Sequence, residues 1–236
     1  KDGIKGSNYI YRVGGSLYNA YMREYAGVDP NTGKALYYTD VTDADGNVSK
    51  VTTDVFGDAK QYDLGSVLPK LYGGFGTSLR FYGFDLSAQF SFQLEGKYYD
   101  GSYQSLMHTQ ASAGSAWHTD ALKAWTPDNR NTDVPRLDGD TSVGQSAVDR
   151  FLVSSNFLSV NNVTLGYTFP SKWMSKIKIA GLRVYVTGDN LGVVTARKGI
   201  DPRFSMGLGS YTSGSGLNTG AYAAMRNITG GVTLTF

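Results

Sequence analysis

Few residues of this 236-residue chain combine the type and the spacing that chemistry requires. Asp43, Asp45 and Asn47 set oxygen ligands at alternate positions, and Asp54 falls where a twelve-residue calcium loop puts its last ligand. The Gly needed at the sixth position is missing and the last position lacks the longer Glu, so the stretch reads as a polar hairpin turn. His108 and His118 stand ten residues apart in a long connection, with no carboxylate-His pair at helical spacing to complete a metal site. Ser175 and Lys178 have the spacing of a Ser-Lys nucleophile motif without its companion motifs. Gly207 to Gly220 is Gly/Ser-rich but lacks the Lys of a phosphate loop, and the sequons at Asn162 and Asn227 lie inside expected strands. No catalytic residue, metal ligand or cofactor motif stands out, and the chain reads as a non-enzyme. What remains is a set of ring-bearing residues in the long connections, Trp117, His118, Trp125 and Tyr211, where a ring can stack on a sugar or pack on a peptide side chain. For Trp125 the competing reading is that it packs the loop itself.

The elements that must position these residues are strands. From Phe84 to Leu94 the residues Phe84, Leu86, Ala88, Phe90, Phe92 and Leu94 alternate with Asp85, Ser87, Gln89, Ser91 and Gln93 without a break. Period-two alternation puts one set on each face of a pleated strand. A strand of this length rises roughly 36 Å and, tilted by about 45°, covers roughly 25 Å, the height of an outer-membrane apolar band. Tyr72 to Phe81 precedes it across Tyr82-Gly83, short enough for a tight hairpin. Phe157 to Phe169 changes parity between Val160 and Val163, which predicts a β-bulge at Asn161-Asn162. Leu182 to Leu191 follows the short connection Ser171 to Gly181, and Asn227 to Phe236 alternates to a terminal aromatic. Arg12 to Tyr25 is a weaker strand with mixed parity.

The connections between strands fall into two classes. Tyr82-Gly83 and Ser171 to Gly181 are short, whereas Ala26 to Leu71, Lys97 to Arg150 and Gly192 to Gly220 are long. Strands running alternately up and down put all short links at one end and all long ones at the other, as in outer-membrane barrels. Six strands cannot close around a large solute, so the expectation is a barrel fragment. Composition agrees: mean hydropathy is −0.27, as a half-polar barrel wall allows, and 17 Tyr suit a membrane-water boundary. No run reaches the roughly 18 apolar residues of a spanning helix. A net charge of +2 without a Lys/Arg cluster gives no case for nucleic acid, and zero Cys excludes disulfides and thiolate chemistry.

Several stretches in order resemble the SusC/RagA branch of TonB-dependent outer-membrane transporters. They are Tyr25-Ala26-Gly27-Val28-Asp29-Pro30, Leu68-Pro69-Lys70 with Tyr72-Gly73-Gly74-Phe75, Tyr82-Gly83-Phe84-Asp85-Leu86-Ser87, and Trp125-Thr126-Pro127-Asp128-Asn129 with Pro135-Arg136-Leu137. The series continues through Asn162 to Tyr167, Leu182 to Val186, Gly188-Asp189-Asn190-Leu191, Gly199-Ile200-Asp201-Pro202 and Leu234-Thr235-Phe236. The resemblance implies an all-β, antiparallel transmembrane barrel of about 22 strands, residues 1–236 supplying about the last six. It further implies a plug and the remaining strands, a TonB complex reached through an N-terminal region not in this sequence, a SusD-like lipoprotein and outer-membrane lipid as partners. Phe84, Leu86, Phe90, Phe92 and Leu94 would face lipid, and Val232, Leu234 and Phe236 would close the barrel and signal its assembly in the bacterial outer membrane. Active import of an oligosaccharide or peptide is the first functional reading. A passive channel or structural barrel, and a soluble sugar-binding β-sandwich, are the alternatives.

Overall fold

The computed structural model describes residues 3–6, 8–107, 116–137, 148–196, 201–205 and 224–236. The chain divides into two compact units, and the division follows connection length. One unit takes Pro69–Gly96, Ser154–Arg203 and Ala221–Phe236, the long strands; the other takes Lys1–Leu68, Lys97–Val153 and Phe204–Gly220. In chain order the strands are β1 (Ile4–Lys5), β2 (Ile10–Tyr11), β3 (Asn19–Arg23), β4 (Tyr25–Val28), β5 (Ala35–Thr42), β6 (Val48–Thr53), β7 (Gln61–Ser66), β8 (Leu71–Phe81) and β9 (Phe84–Leu94). They continue with β10 (Lys97–Tyr99), β11 (Leu152–Ser154), β12 (Phe157–Thr168), β13 (Gly181–Thr195) and β14 (Asn227–Thr235). The longer helical turns are α1 (Gly101–Leu106), α2 (Ser171–Met174) and α3 (Pro202–Ser205).

The strand unit is one antiparallel sheet in the order β14-β13-β12-β9-β8. Chain-adjacent long strands are neighbours throughout, an up-and-down meander. The β8-β9 hairpin closes on Phe81↔Phe84, with Tyr82 at φ 46° and Gly83 at φ 87°. Two successive left-handed residues make the turn whose twist matches that of its strands, and Gly is the residue that takes this conformation without strain. The parity change in β12 is a bulge: the register slips between Val160 and Asn162 against both β9 and β13. Strand β13 runs four residues beyond the expected Leu191, to Thr195. Asn190, at φ 50°, interrupts its alternation and hid the continuation from a period-two reading.

The strand expected over Arg12 to Tyr25 is not a wall strand. The segment is split into β3 and the start of β4; β3 pairs with β7, and β4 with β5 in the three-stranded sheet β4-β5-β6. Its mixed parity offers no consistently apolar face, and Arg12 pairs instead with Asp63 of β7. The wall sheet among the described residues therefore holds five strands.

The second unit is a packed body rather than a set of extended loops. Tyr37, Met22, Tyr99, Val148 and Phe151 lie at its centre, with Tyr25, Tyr103 and Phe56 packed against them. Separate parts of the chain are stitched together there. Asp100, fully buried, caps α1 by accepting from the Tyr103 amide, while its own amide donates to the Phe151 carbonyl. The Asp149 carboxylate accepts from the Tyr25 amide at 2.8 Å; burial raises its pKa above the usual carboxylate range. Asp43 to Asn47 form the hairpin turn between β5 and β6, with Asp43 Oδ1 accepting from the amides of Asp45 and Asn47. Asp54 lies outside that turn and pairs with Lys34 at 2.6 Å.

Candidate functional site

Cross-strand partners in an antiparallel sheet project to the same side, so the register sorts every residue of the wall. One side collects Leu71, Phe75, Leu79 and Phe81 from β8 and Phe84, Leu86, Ala88, Phe90, Phe92 and Leu94 from β9. Leu158, Val160, Val163, Leu165 and Tyr167 continue it on β12, then Leu182, Val184, Val186 and Val194 on β13, and Ile228, Val232 and Leu234 on β14. Gly and Thr interrupt this face, but no charged residue does. Phe75 stacks on Phe90 with centroids 4.9 Å apart, yet most of the large side chains stay open: Phe75 is 54% exposed, Leu79 59% and Ile228 71%. None of the residues of the buried core cluster comes from this sheet.

The other side is polar. Ser78 and Arg80 face Ser87 and Asp85; Gln89 and Ser91 face Asn162 and Ser159; Thr164 and Thr187 share a hydroxyl bond at 2.9 Å; Asn162 donates to Asp189 at 2.7 Å. Near the short-connection end, Arg183 of β13 grips Asp85 of β9 with two donors, Nε to Oδ1 at 3.0 Å and Nη2 to Oδ2 at 2.5 Å. These strands are not neighbours. The pair reaches across β12 at Gly166, where an added Cβ would sit 2.5 Å from Arg183 Nη2 and 2.6 Å from Asp85 Oδ1. Gly is thus required by the ion pair that passes over it. Arg80, Asp85 and Arg183, with Gly83, Phe84 and Thr168, line a hollow of about 450 Å³.

At the long-connection end, Arg203 ties the chain after β13 back to the wall. Its guanidinium donates to Asp201, to Ser159 Oγ at 2.7 Å and to Asn190 Oδ1 at 2.7 Å. The Asn190 amide in turn donates to the Ala224 carbonyl at 2.8 Å. Both feet of the connection between β13 and β14 therefore meet at one left-handed Asn. Burial opposes the charge on Asp201, but its bonds to Arg203 hold the pKa below the usual range. Arg203→Met leaves that carboxylate without its cation and should cost about 2 kcal/mol of local stability. Limited proteolysis of the full-length protein should then cut the connection faster, with membrane abundance unchanged.

The four connection residues singled out for recognition have different places. Trp125 is half-buried; its indole donates to the Pro30 carbonyl at 3.1 Å and its amide to Val134 at 2.8 Å, while Arg136 bonds Thr32 beside it. His118 caps the turn Thr119–Lys123 by accepting from the Asp120 amide, with its ring edge-on to Tyr103 at 4.8 Å. Trp117 is half-buried next to it. Tyr211 lies outside the described residues, as do His108 and Gly207 to Gly220. Among the described residues no group of His, Asp and Glu is placed to hold a metal ion, and the Ser175 hydroxyl donates to the Lys172 carbonyl rather than to a lysine amine.

No protein-family model matches the chain. TonB-dependent receptor P3 of Formosa agariphila is 27% identical over 99% of the chain, and TonB-dependent receptor SusC of Bacteroides thetaiotaomicron is 36% identical over a stretch covering 28% of it. The solved RagAB peptide importer in its closed-closed state matches 99% of the chain with 30% identity and a TM-score of 0.74. The chain belongs to the SusC/RagA-type TonB-dependent receptors. It spans 23% of the length of receptor P3 and 25% of the RagAB chain, and the stretch matched in SusC is 7% of that receptor. The five-stranded sheet is accordingly wall of a SusC/RagA-type β-barrel. Asp85 stands on the polar parity of the Phe84–Leu94 alternation, and Arg183 and Asn190 lie in stretches that carry the family resemblance, whereas no pattern in the sequence marks Arg203. For Asp85 and Arg183 the signal is a charged residue on the polar parity of strands otherwise carrying Ser, Thr, Asn and Gln.

Proposed function

We propose that this chain supplies part of the wall and the extracellular connections of an outer-membrane importer for bulky nutrients, an oligopeptide or an oligosaccharide. The reading includes energy from a TonB complex and a SusD-like surface lipoprotein as lid. The observation that carries it is the wall sheet, apolar and exposed on one side and polar on the other across all five strands. Water on the apolar side would be costly, whereas hydrocarbon there and water on the other side satisfy both faces. The structural neighbour is described as a peptide importer, which supports the oligopeptide. Phe84, Leu86, Phe90, Phe92 and Leu94 then face lipid, the short connections lie on the periplasmic side, and the long connections are extracellular. Trp117, His118, Trp125 and Tyr211 remain the candidates for substrate contact. Val232, Leu234 and Phe236 of the β14 end serve closure and assembly.

A soluble β-sandwich would lay a second sheet on the apolar face, and the exposure of Phe75, Leu79 and Ile228 counts against it. A passive channel shares the wall and differs in its energy source. Uptake of a fluorescent oligopeptide mixture by cells carrying the full-length protein should fall to background when TonB is deleted. Uptake persisting at the original rate would favour the passive channel.

A further inference from the structure

The connection between β12 and β13 is unlike the bare two-residue turn beside it. Ser171 to Lys178 reads Ser-Lys-Trp-Met-Ser-Lys-Ile-Lys, and it forms α2 followed by a 3₁₀ turn at Ser175–Ile177 that ends on Lys178 in the left-handed conformation. The Trp173 amide donates to the Pro170 carbonyl at 2.9 Å and the Ile179 amide to the Met174 carbonyl at 3.2 Å, so the segment has a defined shape. Met174 is its buried side chain. Trp173 and Ile177, four residues apart, stand 56% and 59% exposed. Lys172, Lys176 and Lys178 are exposed as well, and no described acidic residue forms an ion pair with any of them. No Asp or Glu occurs between Phe169 and Gly188.

The register places this segment at the end of the sheet where Phe81, Tyr82, Phe84 and Phe236 are also exposed. Aromatic rings at the ends of several strands trace a level along the sheet. That arrangement suits a planar interface, with apolar rings below and wet groups above, better than the patch of one protein partner. Three ammonium groups with no ion-pair partner among the described residues, beside an exposed indole, add a sign to it: they attract phosphate, and anionic headgroups more than zwitterionic ones.

We infer that Ser171 to Lys178 is a headgroup anchor, with Trp173 and Ile177 seated at the membrane interface and Lys172, Lys176 and Lys178 selecting anionic phospholipid. The inference rests on the reading of the sheet as a membrane wall. Full-length transporter is placed in nanodiscs of phosphatidylcholine alone or mixed with phosphatidylglycerol, and the lipids retained after detergent extraction are counted by native mass spectrometry. Wild-type protein should retain phosphatidylglycerol severalfold over phosphatidylcholine, less so as salt is raised. In the triple variant Lys172→Gln, Lys176→Gln, Lys178→Gln the ratio should fall toward one, with total lipid unchanged. Exposed Lys→Gln changes leave the fold intact, so an unaltered ratio in the triple variant, or no preference in the wild type, overturns the anchor. Failure of wild-type protein to retain either lipid would instead strike the membrane-wall reading.

Discussion

Phe90→Arg should destabilise the folded transporter by about 2 to 4 kcal/mol if it lies near the bilayer midplane, and Gln89→Arg much less. The two positions are adjacent in β9 and differ in the face they take. Phe90 is flanked by Phe75 on β8 and Val160 on β12, both on the apolar side, whereas Gln89 faces Gly76 and Asn162 on the polar side. An Arg at 90 must carry its charge into hydrocarbon or pull the strand toward the interface; at 89 it meets water and hydrogen-bonding neighbours. The folded fraction, read from heat-modifiable gel migration of the full-length protein in outer-membrane extracts, should drop sharply for Phe90→Arg and little for Gln89→Arg. Equal losses at the two positions would overturn the assignment of faces.

That experiment tests the part of the fold most legible in the sequence. Unbroken alternation in β9 fixed both its extent and its faces, because a one-residue slip would exchange every apolar side chain for a polar one. The Tyr82-Gly83 hairpin and the bulge at Asn161 were readable for the same reason, as a turn signal and a change of parity. The packed unit was not. Tyr37, Tyr99 and Phe151 form its centre, but they come from segments far apart in the chain, in stretches where apolar and polar residues follow no single period. Local pattern reports which side of an element is greasy; it does not report which distant element will cover it. The clamp of Asp85 with Arg183, across 98 residues, was hidden by the same distance. Trp125 shows the reverse case, an aromatic legible as a candidate for recognition whose indole bonds lie within its own unit.

Because that unit has its own core, its stability should be separable from that of the wall. Phe151 is 0% exposed, packs edge-on to Tyr99 at 6.2 Å and to Tyr103 at 5.9 Å, and its carbonyl accepts from the amide of Asp100. Phe151→Ala removes a fully buried ring and leaves a cavity among side chains held by hydrogen bonds, a change that costs roughly 3 to 5 kcal/mol. Losses of this size are a large share of what a small packed unit has, so the segments around α1 and Thr119–Lys123 should open. Phe151 takes no part in the five-stranded ladder, whose bonds join β8, β9, β12, β13 and β14. Outer-membrane abundance of Phe151→Ala transporter should therefore stay near that of wild type, while external protease cuts between residues 97 and 137 far sooner and oligopeptide uptake falls. Phe90→Arg should give the opposite pattern, with few molecules assembled and normal protease resistance in those that are. If Phe151→Ala lowers abundance as much as Phe90→Arg does, the two units fold as one and the wall depends on the connections it carries.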